Sequence, residues 1–154
     1  MSGYSVEMLA QHDRRTFTCG SPDLDRYFRE QVGQDVRRRV AVCFVAVASD
    51  GAVAGFYTLA ATSLAFDSLS PERAKRLPRY PVLPAILLGR LAVSSAHRRL
   101  GLGAALVADA IQRATGSDIA GFAMVVEAKD VAAEQFYTHL GFERLSERRL
   151  IRRL

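Results

Sequence analysis

Polar and apolar residues alternate from Tyr4 to Met8, with Ser5 and Glu7 on the opposite phase from Tyr4 and Val6, which is the period of a half-buried strand. The period changes after Ser21-Pro22-Asp23, where a capping hydroxyl precedes a proline at the first helical position. Leu24, Tyr27, Phe28, Val32 and Val36 then recur at helical spacing and predict one helix running into Arg37, Arg38 and Arg39. The plainer reading of that triplet is a solvated helix end with cations at the negative pole of the dipole; the alternative is a patch that holds phosphates.

The valine-rich run from Val40 to Ala48, the turn Ser49-Asp50-Gly51 and the run Ala52 to Ala61 predict a central hairpin. Ser63 to Pro84 reads as a long connection with a short helix begun by Ser70-Pro71-Glu72 and spaced by Pro78, Pro81 and Pro84. Such connections are uncommon inside compact domains and often functional, and this one carries Arg73, Lys75, Arg76, Arg79 and Tyr80. Ala85 to Val93 is the next strand, with Gly89 as a plausible bulge. A helix over Gly103 to Ala114 follows, with Leu102, Leu106, Ala110 and Ala114 on one stripe, and then a strand over Gly121 to Ala128, parallel to the previous one by a right-handed crossover. Asp130 is a competent cap for a final helix that Gly141 stops in the left-handed conformation. Phe142 to Leu154 fits a strand or a helical turn, and strand is preferred.

Length and composition narrow the class. A chain of 154 residues suits a single domain that buries about two thirds of its unfolded surface. With 49% hydrophobic and 24% charged residues it reads as a globule, and no run is long and apolar enough for a membrane span or signal segment, so a cytoplasmic location is expected. Cys19 and Cys43 lack metal or redox spacing and are expected to be free core thiols, with no metal site. The net charge of +5, with nineteen arginines among twenty-one basic residues, favours a phosphate-rich partner, although base composition of the coding sequence also explains arginine over lysine.

The candidate chemistry centres on Arg98-Arg99-Leu100-Gly101-Leu102-Gly103-Ala104, between a strand and a helix. Two glycines permit a tight turn and close approach of a ligand, and the following helix start offers free amides and a positive dipole end to an anion, with Arg98 and Arg99 as further donors. Neither the P-loop nor the dinucleotide-binding glycine pattern fits. The loop does resemble the Arg/Gln-x-x-Gly-x-Gly/Ala signature of the GNAT acetyltransferases, through Arg98, Gly101 and Gly103. The second GNAT signature, Asn-x-x-Ala-x-x-Phe-Tyr-x-x-x-Gly-Phe, is matched by Ala133, Phe136, Tyr137, Gly141 and Phe142, with Asp130 in place of Asn.

That resemblance implies an α/β (α+β) GNAT fold, a mixed sheet of six to seven strands flanked by about four helices, with two parallel strands splayed apart. It implies acetyl-coenzyme A as acyl donor. The amides of Arg98 to Ala104 would take its pyrophosphate, Leu91, Ala92 and Val93 its pantetheine arm, and Asp130 and Phe136 would complete the coenzyme site. Tyr137 would be the general acid, since a phenol with a pKa of about 10 is protonated at neutral pH and can give its proton to a departing thiolate. As residues alone, Ala133, Phe136, Tyr137 and Leu140 also read as a plain apolar stripe. Glu127 is the one acidic residue in the neighbouring strand, and it reads as structural or solvated rather than as a base. A site without an evident base suits an α-amine, with a pKa of about 7.7 to 8.0, better than a lysine side chain at about 10.4.

Phe17, Cys19, Gly20, Leu24 and Asp25, with Pro78, Tyr80, Pro81 and the run Leu87 to Val93, are further similar to the GNAT toxins of type II toxin-antitoxin modules. This implies acetylation of the α-amine of aminoacyl-tRNA, block of translation, and neutralisation by a ribbon-helix-helix antitoxin through which any DNA contact would run. A homodimer is left open. Arg37, Arg38, Arg39, Arg73, Arg76, Arg79 and Arg90 are the candidate contacts to tRNA phosphates. The rival readings are a GNAT enzyme acting on a protein N-terminus or a small amine, and a coenzyme-binding regulator without turnover.

Overall fold

The computed structural model describes residues 3–65, 67, 69–75, 77 and 80–154, the side chain of Arg73 excepted. Strands β1 (Tyr4–Met8), β2 (Val42–Ala48), β3 (Val53–Ala65), β4 (Val82–Val93), β5 (Ala123–Glu127), β6 (Glu143–Arg144) and β7 (Arg149–Arg153) form one mixed sheet in the order β1-β2-β3-β4-β5-β7-β6. The helices are α1 (Pro22–Arg26), α2 (Val32–Arg37), α3 (Pro71–Ala74), α4 (Leu102–Thr115) and α5 (Val131–His139). The expected mixed α/β architecture is present. Packing divides the chain into two compact units, Met1–Ala60 with Leu88–Ala110 and Ala61–Leu87 with Ile111–Leu154.

In the first unit β2 pairs antiparallel with β1, from Tyr4↔Ala48 to Met8↔Phe44, and with β3, from Val42↔Leu59 to Val47↔Val53. The hairpin turn forms where its chemistry predicts: Gly51 has φ +88°, and Asp50 Oδ1 accepts from the Ala52 N–H at 2.9 Å. The predicted first helix is correct in extent but not continuous, because a π-helical segment, Tyr27–Gln31, joins α1 to α2. Its apolar spacing explains this. Leu24, Phe28, Val32 and Val36 are each four apart, and at 3.6 residues per turn three such steps drift by about 120° around the helix. The wider turn takes up part of that drift and brings Phe28 flat onto Phe56, with ring centroids 4.2 Å apart. Phe17 closes the same cluster edge-on, 4.8 Å from Phe28.

In the second unit β4 and β5 pair in parallel at Ala85↔Ala123, Ile86↔Met124 and Leu87↔Val125. β4 as a whole runs from Val82 to Val93 and β5 from Ala123 to Glu127. β7 is a strand, as preferred, and pairs antiparallel with β5. β6, too short to be read from its pattern, pairs with β7. Other boundaries move outward or inward: β2 begins at Val42 rather than Val40, β3 extends to Ala65, β4 begins at Val82, β5 is confined to Ala123–Glu127 and α4 starts at Leu102. The predicted α4 stripe is buried throughout, at Leu102, Leu106, Ala110 and Ala114. Cys19 and Cys43 are buried in the core, and burial pushes the Cys43 thiol up to about 12, leaving it without thiolate character at neutral pH.

Candidate acetyl-coenzyme A site

The glycine loop lies in the first unit. β4 delivers Leu91, Ala92 and Val93, with Ala92 buried and its neighbours partly so. Just before them the Arg90 N–H donates to the Thr58 hydroxyl at 3.1 Å. Gly55 on β3 is a close-approach glycine, since a Cβ there would stand 2.9 Å from the Ala92 carbonyl oxygen. Past Val93 the chain makes a 3-10 turn, Ser95–His97, capped by the Ser94 hydroxyl, and then the loop.

Two residues of the loop are left-handed, Arg99 at φ 62° and Gly101 at φ 76°. For arginine that conformation is strained by about 1 to 2 kcal/mol, the kind of cost retained where the backbone must face a ligand. Gly101 is exposed, with nothing within 4 Å of a would-be Cβ, and its carbonyl accepts from the Ala105 N–H at 3.1 Å to start α4. The amides of Leu102, Gly103 and Ala104 therefore form the first turn of a fourteen-residue helix, without intrahelical acceptors. An open glycine, a left-handed pair and a helix start together make an anion cradle. The residues fit a pyrophosphate.

Arg98 is exposed, and its guanidinium donates through Nη2 to the carbonyl of Cys19, which ties the loop to the N-terminal segment with one of its five N–H donors. Arg99 is exposed.

In the second unit Asp130 Oδ1 accepts from the Ala133 N–H at 2.8 Å and caps α5, which is the structural use of an acidic residue at this position. The other end of α5 closes as a Schellman motif: the Gly141 N–H donates to Thr138 O and the Phe142 N–H to Tyr137 O, both at 3.1 Å, with Gly141 at φ 93°. The apolar contact this motif favours is Phe142 against Tyr137. Phe136 meets the same phenol ring edge-on at 5.1 Å. Tyr137 is thus oriented by its own helix end, and burial pushes its phenol up to about 12. No group among the described residues hydrogen-bonds its hydroxyl. Glu127 is exposed at the end of β5, opposite Arg149.

The arginines separate. Arg37, Arg38 and Arg39 are exposed at the end of α2. Arg90 lays its guanidinium 3.8 Å from the centroid of Tyr27, whose hydroxyl donates to Asp35 at 2.8 Å, an arrangement that engages the face of the guanidinium. Arg76 and Arg79 lie outside the described residues, as does the side chain of Arg73. The sequence reading missed Arg14, whose Nη2 would stand 3.4 Å from a Cβ on Gly33, with Arg37 Nη1 at 3.2 Å from the same point, and whose guanidinium donates to the Phe28 carbonyl within the π turn at 2.8 Å. Only the absence of a side chain at Gly33 could have signalled it. Among the described residues no cluster of His, Cys, Asp or Glu could hold a metal ion, and no helix is long and apolar enough to cross a membrane.

The profile of the Acetyltransferase (GNAT) family matches residues 6–142. The chain belongs to this family. The family's acyl donor is acetyl-coenzyme A, and this GNAT chain is 40% identical over 147 residues to a tRNA-acetylating toxin of Mycobacterium tuberculosis, covering 93% of this chain and 87% of the relative. The structure of AtaT complexed with acetyl-methionyl-tRNAfMet superposes with a TM-score of 0.87 and 25% identity, covering 97% of this chain and 94% of that one. AtaTR bound with acetyl-coenzyme A superposes with a TM-score of 0.84 and 27% identity, covering 99% and 95%.

Proposed function

We propose that this GNAT enzyme transfers acetyl from acetyl-coenzyme A to the α-amine of aminoacyl-tRNA, and acts as the toxin of a toxin-antitoxin pair. The observation that carries the reading is the 40% identity to a tRNA-acetylating toxin over nearly the whole chain. The amides of Arg98 to Ala104 hold the pyrophosphate, and Leu91, Ala92 and Val93 present strand amides to the pantetheine arm. When bound, the coenzyme supplies an activated acyl carbon with thiolate as leaving group. Attack by the neutral amine forms the C–N bond, the C–S bond breaks, and Tyr137 gives its proton to the sulfur and regains one from solvent, to which the amine loses its own.

Burial raises the phenol to about 12, so it is protonated throughout the pH range in which an α-amine becomes neutral. The exposed Arg37, Arg38 and Arg39, with Arg73, Arg76, Arg79 and the edge of Arg90, take the tRNA phosphates. A ribbon-helix-helix antitoxin neutralises the enzyme and makes any DNA contact on its behalf. The test incubates the protein with labelled acetyl-coenzyme A and a pool of charged tRNAs, uncharged tRNAs, peptides and polyamines. Label is expected on the amino acid of charged tRNA. Label confined to peptides or polyamines would replace this reading with that of an N-terminal or small-amine acetyltransferase.

A further inference from the structure

The segment Phe17-Thr18-Cys19-Gly20 contributes nothing to the chemistry above, yet it is bonded on both sides. On one side stands Asp25, buried at 8% exposure in the first turn of α1. One of its oxygens accepts from the Cys19 N–H at 2.8 Å and the other from the Thr18 hydroxyl at 3.3 Å. On the other side three successive carbonyls are taken: Phe17 O by Arg29 Nε at 2.7 Å, Thr18 O by the Ser95 N–H at 2.8 Å, and Cys19 O by the Arg98 guanidinium. Ser95 and Arg98 bracket the 3-10 turn that leads into the glycine loop. A further tie joins the same turn to β1, where the Tyr4 hydroxyl lies 2.8 Å from His97 Nδ1.

Gly20 lies beside Arg98. It has φ 87°, a conformation that favours glycine, and a Cβ placed on it would stand 2.5 Å from Arg98 Nη2 at the end of that flexible side chain. Phe17 is fixed at the other end by Phe28 and Phe56 in the aromatic cluster. The pattern Phe-x-Cys-Gly followed by Leu-Asp is therefore one device: an anchor, a pair of outward carbonyls, a glycine that leaves room for a guanidinium, and a carboxylate that sets the direction of those carbonyls.

We propose that Asp25 is a positioning residue for the coenzyme loop, acting through the Thr18-Cys19 backbone to fix Ser95 and Arg98. The proposal rests on the reading of residues 98–104 as the pyrophosphate cradle. Asp25 touches neither substrate. Bonds to an ionised carboxylate are about twice as strong as neutral ones, and an amide at this position would turn an N–H toward the Cys19 N–H in one of its two orientations. A loosened Thr18-Cys19 turn frees Arg98, and the strained Arg99 beside it loses its support.

The test measures coenzyme A binding by calorimetry and steady-state kinetics for Asp25→Asn, Gly20→Ala, Arg98→Met, the double variant Asp25→Asn with Arg98→Met, and Gly103→Val as reference. Asp25→Asn and Gly20→Ala are each expected to weaken coenzyme A by about tenfold, the scale of a small misplacement of a binding group. KM for acetyl-coenzyme A should rise with kcat and the KM for charged tRNA held, and Asp25→Asn should add little in the Arg98→Met background. A fall in kcat with both KM values raised alike would mean a merely structural carboxylate and overturn the proposal. Wild-type affinity in Asp25→Asn and Gly20→Ala, with binding lost in Gly103→Val, would overturn it while the cradle stands. Wild-type affinity in Gly103→Val would remove the cradle and the proposal together. If Asp25→Asn does not fold, Gly20→Ala decides by the same criteria.

Discussion

Phe142 donates its backbone N–H to the carbonyl of Tyr137 at 3.1 Å and sets its ring edge-on to the phenol, with centroids 5.5 Å apart. The Tyr-x-x-x-Gly-Phe spacing is therefore the spacing of a helix stop, and the residue proposed as acid is the one whose carbonyl the stop captures. Gly141→Ala tests this coupling. It forces a side chain into φ 93°, with its Cβ 3.2 Å from Arg152 Nε, and should destabilise the protein by about 1 to 2 kcal/mol, lowering the melting temperature by about 3 to 6 °C. An unchanged melting temperature would show that the helix end has another way to close.

Tyr137→Phe removes one hydroxyl and leaves both ring contacts in place. Coenzyme affinity and melting temperature should hold, while single-turnover acetyl transfer falls by about 10²- to 10⁴-fold. A rate within a few-fold of wild type would reduce Tyr137 to packing.

The pH profile follows from the same residue. Burial raises the phenol to about 12, so its protonated form, the one that acts as acid, persists at every pH below that value. The amine must lose its proton to attack. The rate should therefore rise with a midpoint of about 8 and stay level to about pH 10. A falling limb below pH 10 would show that a different group supplies the proton.

Gly101→Ala and Gly103→Val separate conformation from obstruction in the loop. A Cβ on Gly101 meets nothing within 4 Å, so Gly101→Ala acts through its φ of 76° alone and should lower stability by about 1 kcal/mol with a moderate loss of coenzyme affinity. Gly103→Val leaves a tolerable helical residue but crowds the amides of the first turn, and calorimetry should find coenzyme binding abolished. Unchanged affinity in a folded Gly103→Val protein would move the site elsewhere.

Local chemistry was legible in the sequence wherever the deciding partner lies within a few residues. Ser21 caps α1 with Pro22 behind it, Asp130 caps α5, and Gly51 and Gly141 take the left-handed conformation, each as the pattern required. Strand ends were less legible: β3 runs on to Ala65 and β4 begins at Val82, beyond the runs that predicted them. The π turn left a trace in the four-residue spacing, but that spacing also fits an ordinary helix. Two features had no local signal at all. The engagement of Arg98 by Cys19 joins residues 79 apart, and left-handed Arg39 and Arg99 occupy a conformation that residue type argues against.

Arg39 offers the sharpest test of the arginine triplet. It sits at φ 60° just past α2, its N–H donating to Val36 O at 3.1 Å and that of Val40 to Asp35 O at 2.9 Å, the Schellman pattern with arginine where glycine is usual. Glycine would relieve the strain, so Arg39→Gly should stabilise the protein by about 1 kcal/mol net of the lost cation at the helix end. The second use proposed for Arg39 is a contact to a phosphate of the tRNA. Arg39→Gly should therefore raise the melting temperature and weaken tRNA binding together, flattening the plot of log affinity against log salt by about 0.7 to 0.9. Replacing Arg37, Arg38 and Arg39 with glutamine should flatten it by about two to three times as much while coenzyme affinity is untouched. A more stable Arg39→Gly protein with an unaltered salt slope would leave the triplet as a solvated helix end and place the tRNA contacts elsewhere.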